Sequence, residues 1–347
     1  MIRLSFKTLS LGLAVLACLP FGSTATAEAI QWVTVGDPGN TADTTTYGAV
    51  ADSFQIMKYE FTNQQYTDFL NSVAKTDTYS LYNPGGMGSD PRGGITRSGE
   101  SGAYNYVVKP NMGDKPVNYI SYFDAARVAN WLQNGATSSS STETGAYTFL
   151  NGQTSGDAPA VNNGARFYIP TEDQWYKAAY YKGGGTDAGY WNYATQSDTA
   201  PTPVTAGATG IGSAGNTGNF ANYNMQAAWN SLNTNVTTVG TNGRPSAYGA
   251  FDMGGNLLEW NDLTGAAGSD RGLRSSFFGH TDPSDLSSSS RHSFPALLDG
   301  DAYGFRLASS GASPSAVPEI DPNSLGSVLA LVLGSLGLLE RRRLKAA

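Results

Sequence analysis

The segment that decides the fold reads GAFDMGGNLLEW and covers residues 249–260 of this 347-residue chain. It places two carboxylates, Asp252 and Glu259, on either side of the pair Gly254-Gly255. Glycine lacks a Cβ and adopts left-handed backbone angles, so the pair permits a tight turn between the two acids. Two carboxylates on one turn repel each other unless a cation lies near both. Trp260 closes the segment and is expected in the core.

Three other segments share the pattern of an amphipathic helix with a capped start. Each has a Ser or Thr followed three residues later by Gln or Asp, at Thr62–Gln65, Ser121–Asp124 and Thr171–Gln174. Such a capping box satisfies the free N–H groups of the first helical turn. Apolar residues follow at spacings of three and four, which places them on one face of each helix. We therefore predict three helices, with Trp131 and Trp175 buried on the second and third.

The rest of the chain predicts little regular structure. Short strands are expected at residues 54–58, 117–120, 166–169 and 305–308. The segments between are long loops rich in Gly, Ser and Asn, and loops of this length usually bind a ligand or are ordered by a metal. The aromatic stretches at 79–82 and 189–193 are candidates for ligand contact, because Tyr and Trp give a large contact area at low entropy cost. The alternative is that these rings pack onto the core.

The composition argues against a nucleic-acid partner and gives the number of thiols. Lys and Arg total 21 against 28 Asp and Glu, and several of the positive residues lie in the two terminal tails. Nucleic-acid binding needs a basic face, so we expect no nucleic acid. The 19 Tyr, 14 Phe and 6 Trp are enough to build a core. Cys18 is the only cysteine of the chain.

The first 27 residues have the features of a secretory signal peptide. Arg3 and Lys7 give a positive start, residues 9–19 are apolar, and Ala25-Thr26-Ala27 fits a cleavage site. An alternative makes Cys18 a lipid acceptor, because the residues before it loosely resemble a lipobox. In either case the exported protein carries no free thiol, and its domain begins at residue 28.

The C-terminus carries a second targeting signal. A linker at residues 311–324 contains Val317-Pro318-Glu319, and a transmembrane helix and basic tail are predicted at 325–347, with Arg341–Arg343 at the cytoplasmic side. This order resembles a PEP-CTERM sorting signal. The resemblance implies a Gram-negative bacterium and export across its inner membrane. It also implies an exosortase-type sorting enzyme as partner and release into the cell envelope or extracellular matrix after transient membrane anchoring. A plain membrane anchor is the alternative.

Four blocks of sequence together resemble one enzyme family. They are residues 115–121 (KPVNYIS), 166–175 (RFYIPTEDQW), 249–260, and 304–307 (GFRL). In this order they resemble the formylglycine-generating-enzyme, or sulfatase-modifying factor, domain, which would cover residues 28–310. The resemblance implies an α+β variant C-type-lectin-like fold with little regular secondary structure and long loops.

The chemistry of that family is not expected here. Its active members oxidise a substrate cysteine to formylglycine through two cysteines that bind copper(I), a metal that soft thiolate ligands suit. The family motif before those cysteines best matches Arg274–Phe278, so the cysteines would fall near His280 and Asp285. We therefore predict no catalytic residue, no cofactor-binding residue and no copper.

The missing cysteines leave two hypotheses about the function. The first is an exported binding protein of the envelope or matrix, with a glycan or a protein as ligand. The alternative is an enzyme of other chemistry in the same cleft, or a lectin-like glycan binder. His280 and His292, the only histidines, are either a metal or acid–base pair or two surface histidines.

The resemblance also implies structural calcium. Calcium takes oxygen ligands from carboxylates and carbonyls in irregular loops, which are the groups that the family supplies. A first site would use the side chains of Asp252 and Glu259 with the carbonyls of Gly255 and Leu257. A second would use Asn222 and the carbonyl of Tyr223. The alternative is that Asp252 and Glu259 only form hydrogen bonds within the loop.

Overall fold

The computed structural model describes residues 29–311. The predicted signal peptide, the PEP-type motif and the predicted transmembrane helix with its basic tail lie outside the described residues. Within residues 29–311, no helix has the length and apolar character needed to cross a membrane.

The three helices begin where the capping boxes predict. They are α1 (Asn63–Val73), α2 (Tyr122–Gln133) and α3 (Glu172–Tyr180). In each, the Ser or Thr side chain accepts from the backbone N–H three residues on, and the side chain of that later residue accepts from the N-cap backbone. This reciprocal pairing satisfies donors that a helix start otherwise leaves free, so the local sequence alone defines these three starts.

Twelve short strands complete the described structure, together with a π-helical turn at Pro84–Ser89 and a 3-10 turn at Pro283–Leu286. The strands are β1 (Trp32–Val35), β2 (Phe54–Met57), β3 (Ile95–Ser98), β4 (Asn105–Val108), β5 (Phe167–Tyr168), β6 (Thr202–Pro203), β7 (Phe220–Ala221), β8 (Leu258–Asn261), β9 (Asp270–Arg274), β10 (His292–Pro295), β11 (Tyr303–Gly304) and β12 (Ala308–Ser309).

Two four-stranded sheets organise the domain. One has the order β1-β2-β12-β5, so the first and last strands of the described chain lie in the same sheet. The other has the order β10-β9-β8-β11, in which β11 runs parallel to β8 and the other neighbours are antiparallel. Two small pairs, β3-β4 and β6-β7, lie outside these sheets. The result is an α+β domain with small sheets and long loops, as the sequence predicts.

The predicted strand at 117–120 is wrong. Val117 N donates to Phe61 O, but Tyr119 has a φ of 59°, which is left-handed and ends any extended ladder. The predicted strand at 305–308 is displaced, since the chain pairs instead at β11 and β12, and Arg306 between them points inward.

The core confirms the burial predicted for the tryptophans. Trp175 and Trp260 are fully buried, and Trp131 is 6% exposed. In loop 79–82 the alternative of packing onto the core applies at Tyr82, which is buried and donates to Ile95 O at 3.2 Å. Tyr190, in the second aromatic loop, lies between Tyr176 and Tyr181 with ring centroids 5.5 and 4.9 Å away. These loops pack onto the core more than they project from it.

Candidate functional site

The loop before β8 is held in a tight, left-handed path. Asp252 has a φ of 56° and Gly255 a φ of 91°. A Cβ at Gly255 would lie 2.6 Å from the backbone oxygen of Asn222, so only glycine fits at this contact. Asn256 N donates to the same Asn222 oxygen at 2.9 Å. The loop therefore lies directly against the segment that contains Asn222 and Tyr223.

Glu259 and Arg306 form a fully buried ion pair beneath this loop. Both side chains have no solvent exposure, and Arg306 donates to both carboxylate oxygens of Glu259 at 2.6 Å. Trp175 Nε1 donates to one of those oxygens at 2.8 Å, and Arg306 also donates to Phe251 O. Glu259 thus joins α3, β8 and the segment before β12. The guanidinium of Arg306 therefore balances the negative charge of Glu259, one of the two acids of the 249–260 segment.

Asp252 is satisfied by protein groups as well. Its two carboxylate oxygens accept from the backbone N–H of Gly240 at 2.6 Å and from Asn242 Nδ2 at 2.9 Å. Burial is the main reason that its pKa lies above the usual value, although these two hydrogen bonds oppose the shift. Asp252 therefore joins the loop to residues 240–242.

Arg274 anchors the loop that carries Asp285. It lies at the end of β9 and donates to Glu172 at the start of α3 at 2.9 Å. The same guanidinium donates to the carbonyls of Ser288 and Ser290 at 2.9 and 2.8 Å. Arg291 donates to Glu172 as well, at 2.7 Å. These contacts hold the loop after the 3-10 turn against the second sheet.

His280 and Asp285 meet at the surface of this loop. His280 Nδ1 lies 3.4 Å from Asp285 Oδ2 and 3.0 Å from Ser276 Oγ, and the side chains of His280 and Asp285 are about one-third exposed or less. Partial burial lowers the pKa of His280, although Asp285 acts in the opposite direction. In a serine hydrolase the acid and the serine meet opposite ring nitrogens of the histidine. Here both approach Nδ1, so the three residues do not form such a triad.

A line of half-buried rings extends from His280 across the second sheet. We call this set the aromatic row; its members are Phe277, His280, His292, Phe294 and Tyr303. Successive ring centroids along it are 4.4, 6.2, 6.3 and 6.4 Å apart. Within the described residues, Nε2 of His292 is buried without a hydrogen-bond partner. The alternation of His292 and Phe294 on β10 is the only sequence signal for this feature, since Phe277 and Tyr303 reach it from other elements.

Comparison with known proteins now defines the family. The model of the sulfatase-modifying factor enzyme 1-like domain matches residues 24–310. The chain belongs to this family. Among curated proteins, none matches the chain significantly.

Several solved structures are similar to this chain, and one of them shows the same fold. One similar structure, titled the crystal structure of CarF, is 20% identical, with a TM-score of 0.52 over 81% of this chain and 98% of that one. Treponema denticola variable protein 1 is 17% identical, with a TM-score of 0.47 over 82% of this chain and 98% of that one. PvdO from Pseudomonas aeruginosa is 19% identical, with a TM-score of 0.40 over 81% and 91%. At these identities the likeness to CarF concerns the fold alone.

The two positions that the family resemblance gives to its cysteines are neighbours in space. They are His280 and Asp285, whose side chains approach within 3.4 Å. Imidazole and carboxylate are harder ligands than the thiolates that suit copper(I). Among residues 29–311, no group of three or more His, Cys, Asp or Glu side chains is arranged to hold a metal ion.

The residues predicted to bind calcium fit that role unequally. At the first site, Glu259 would have to release Arg306, and Asp252 would have to release its two donors, before either could bind an ion. Gly255 and Leu257 offer only carbonyl oxygens. At the second site, the amide nitrogen of Asn222 donates to Asn235 O, while its Oδ1 is buried without a partner in the described chain. Calcium stays a prediction at both sites, and the unpaired oxygen at Asn222 is the one predicted side-chain ligand that need not release a protein partner.

Proposed function

We propose that this protein is an exported binding protein of the cell envelope or extracellular matrix, built on the sulfatase-modifying factor scaffold without its cysteine-oxidising chemistry. The support begins with the sequence, because the chain after residue 27 contains no cysteine. The family reaction needs thiolates that hold copper(I), and His280 with Asp285 cannot replace them. The Ser276–His280–Asp285 geometry also gives no support to hydrolysis.

The aromatic row is the observation that carries the binding function. Its five rings follow one another at centroid distances of 4.4 to 6.4 Å, and each is partly exposed. The row includes His280, one of the two positions that the family resemblance gives to its cysteines. Two exposed apolar side chains lie close to members of the row: Met225, whose N–H donates to the carbonyl of Phe278 next to Phe277, and Leu297, two residues after β10, with 47% and 54% exposure. Half-exposed rings present flat apolar faces with polar edges, which suit the C–H faces and hydroxyls of sugars. We assign a glycan chain to this surface.

The binding test uses the purified protein and the polysaccharide fraction of the producing cells' matrix, cleared of protein by protease. Phe294→Ala should weaken retention on this material roughly tenfold, the equivalent of about 1.4 kcal/mol. Leu150→Ala is the matched control, because Leu150 is 71% exposed and lies outside the row. Equal retention of both variants would contradict the assignment to the aromatic row. Retention only on matrix that still contains protein would replace the glycan by a protein ligand.

The remaining parts of the proposal concern location and cofactors. Export across the inner membrane, transient anchoring through residues 325–347 and processing by an exosortase-type enzyme rest on the two terminal signals. A structural calcium at Asn222 and the carbonyl of Tyr223 rests on the unpaired Oδ1 of Asn222. An acidic chain with a pI of 4.8 supports the absence of a nucleic-acid partner.

A further inference from the structure

The outer edge of β1 is open. This strand lies at one end of its four-stranded sheet, and in the described chain β2 is the only strand that pairs with it. Lys58 N donates to Gln31 O, so the backbone groups of Gln31 face β2. Successive residues of a strand direct these groups to opposite sides. The N–H and C=O groups of Trp32 and Thr34 therefore point away from β2.

Nothing in the sequence protects this edge from another chain. Among residues 29–311, no backbone group donates to or accepts from the outward groups of Trp32 and Thr34, and the side chain of Thr34 is exposed. Proteins usually protect an open edge with a lysine, a proline or a β-bulge, because its free groups are a template for pairing. Residues 31–36 (QWVTVG) contain no charge and no proline, and β1 pairs with β2 without a bulge.

The edge is complementary to a second copy of itself. When two β1 strands run antiparallel about a two-fold axis at Val33, Trp32 of each copy lies opposite Thr34 of the other. Both residues present their N–H and C=O groups outward, so each of these two residue pairs exchanges two hydrogen bonds. No like charges meet across the joint, because residues 31–36 are uncharged. A two-fold dimer is also the commonest assembly of soluble proteins.

We propose that two copies of this protein pair through β1, which joins two four-stranded sheets into one continuous sheet. Its order is β5-β12-β2-β1 of one copy followed by β1-β2-β12-β5 of the other. The joint is small, because β1 has only four residues, so the dissociation constant should be micromolar rather than nanomolar. This inference does not rest on glycan binding at the aromatic row, which lies across the other four-stranded sheet.

Cysteine cross-linking tests the register directly, because the chain after residue 27 has no thiol. In the dimer, Val33 lies opposite Val33 of the other copy in a non-hydrogen-bonded pair, with Cα atoms about 4.5 Å apart, which a disulfide can bridge. Val33→Cys should therefore form a covalent dimer under mild oxidation. Thr34→Cys is the matched control, because the two Thr34 positions are diagonal neighbours roughly 7–8 Å apart, beyond the usual reach of a disulfide.

Sedimentation of the purified protein measures the assembly itself. The wild-type protein should shift reversibly from monomer to dimer, a doubling of mass, as its concentration rises through the micromolar range. Thr34→Lys places like charges on the two edges and should remain monomeric, with an unchanged melting temperature at low concentration because Thr34 is exposed. Thr96→Lys, at an exposed position of β3, is the matched control and should dimerise like the wild type. Phe294→Ala should also dimerise, which separates this edge from the aromatic row.

Three results would overturn the inference. One is a monomeric wild-type protein at every concentration, which would mean that a segment of the same chain or another molecule covers the edge. Another is a dimer that Thr34→Lys leaves intact, which would place the interface elsewhere. The third is cross-linking of Thr34→Cys as fast as that of Val33→Cys. Random collision predicts this third result, because Thr34 is the more exposed of the two positions.

Discussion

The buried ion pair between Glu259 and Arg306 makes a quantitative prediction about stability. Replacing Glu259 by Gln preserves the shape of the side chain and removes its charge. Arg306, with no solvent exposure, then keeps a full positive charge without an ionic partner of its own. Asp252 is engaged with Gly240 and Asn242, and burial raises the pKa of Glu60 well above its usual value, which disfavours the charged form that could replace the lost carboxylate.

The expected loss follows from the cost of an uncompensated buried charge. Removing one partner of a buried pair typically costs about 3–5 kcal/mol of unfolding free energy. A domain of comparable size loses about 2–4 °C of melting temperature per kcal/mol, so Glu259→Gln should melt roughly 6–20 °C lower. Removing both charges in Glu259→Leu with Arg306→Met should cost clearly less than the sum of the two single changes, because no charge remains buried alone.

Urea unfolding followed by tryptophan fluorescence measures these differences. Asp301→Asn is the control, since its carboxylate is 39% exposed and lies 3.7 Å from Arg92 Nε. This exposed pair should contribute less than about 1 kcal/mol. A loss of less than 1 kcal/mol in Glu259→Gln, or additive losses in the double variant, would show that the pair does not support the fold in the way its geometry implies.

Three further predictions concern calcium, pH and processing. Calcium at a hundredfold excess over its dissociation constant should stabilise the fold by about 2.7 kcal/mol, so chelation should lower the melting temperature correspondingly. Asn222→Ala should remove this response, whereas Glu259→Gln should retain it. An unchanged melting curve together with no calcium in elemental analysis would end the calcium proposal. Burial raises the pKa of Asp124 to about 7, so the folded state keeps a proton that the unfolded chain releases above about pH 4. The stability that Asp124 contributes is therefore full below about pH 4 and is lost as the pH rises to about 7. Asp124→Asn should flatten the plot of unfolding free energy against pH by up to about 1.4 kcal/mol per pH unit in this window. A plot that the substitution leaves unaltered would contradict the raised pKa. In an exosortase-positive host, mass spectrometry of the envelope protein should find a start near Glu28 and no Arg341–Arg343, whereas recovery of those arginines would support the plain anchor.

The helix starts were predictable because their cause is local. Thr62 with Gln65, and Thr171 with Gln174, satisfy each other's backbone groups within four residues, so the sequence contains the whole interaction. The prediction of a strand at 117–120 was wrong because the backbone conformation there has a non-local cause. Its apolar residues suit a strand, but the left-handed φ of Tyr119 depends on contacts with the distant Gly300.

The candidate site was predictable only through motifs. The GAFDMGGNLLEW block identified the family and the loop, yet the partner of Glu259 is Arg306, 47 positions away, and no periodicity links them. The aromatic row shows the same limit, because Phe277, Phe294 and Tyr303 come from three separate segments. Contacts between side chains that strand pairing brings together cannot be predicted from the local spacing of residues in a single sequence.

We propose that this domain has the family scaffold without the family reaction. The most direct measurement incubates the purified protein with copper(I), oxygen and a sulfatase-type peptide that contains the substrate cysteine, followed by mass spectrometry of the peptide. We expect an unmodified cysteine and no tight copper(I) binding, because the chain after residue 27 has no thiol. Copper-dependent appearance of the aldehyde would contradict it.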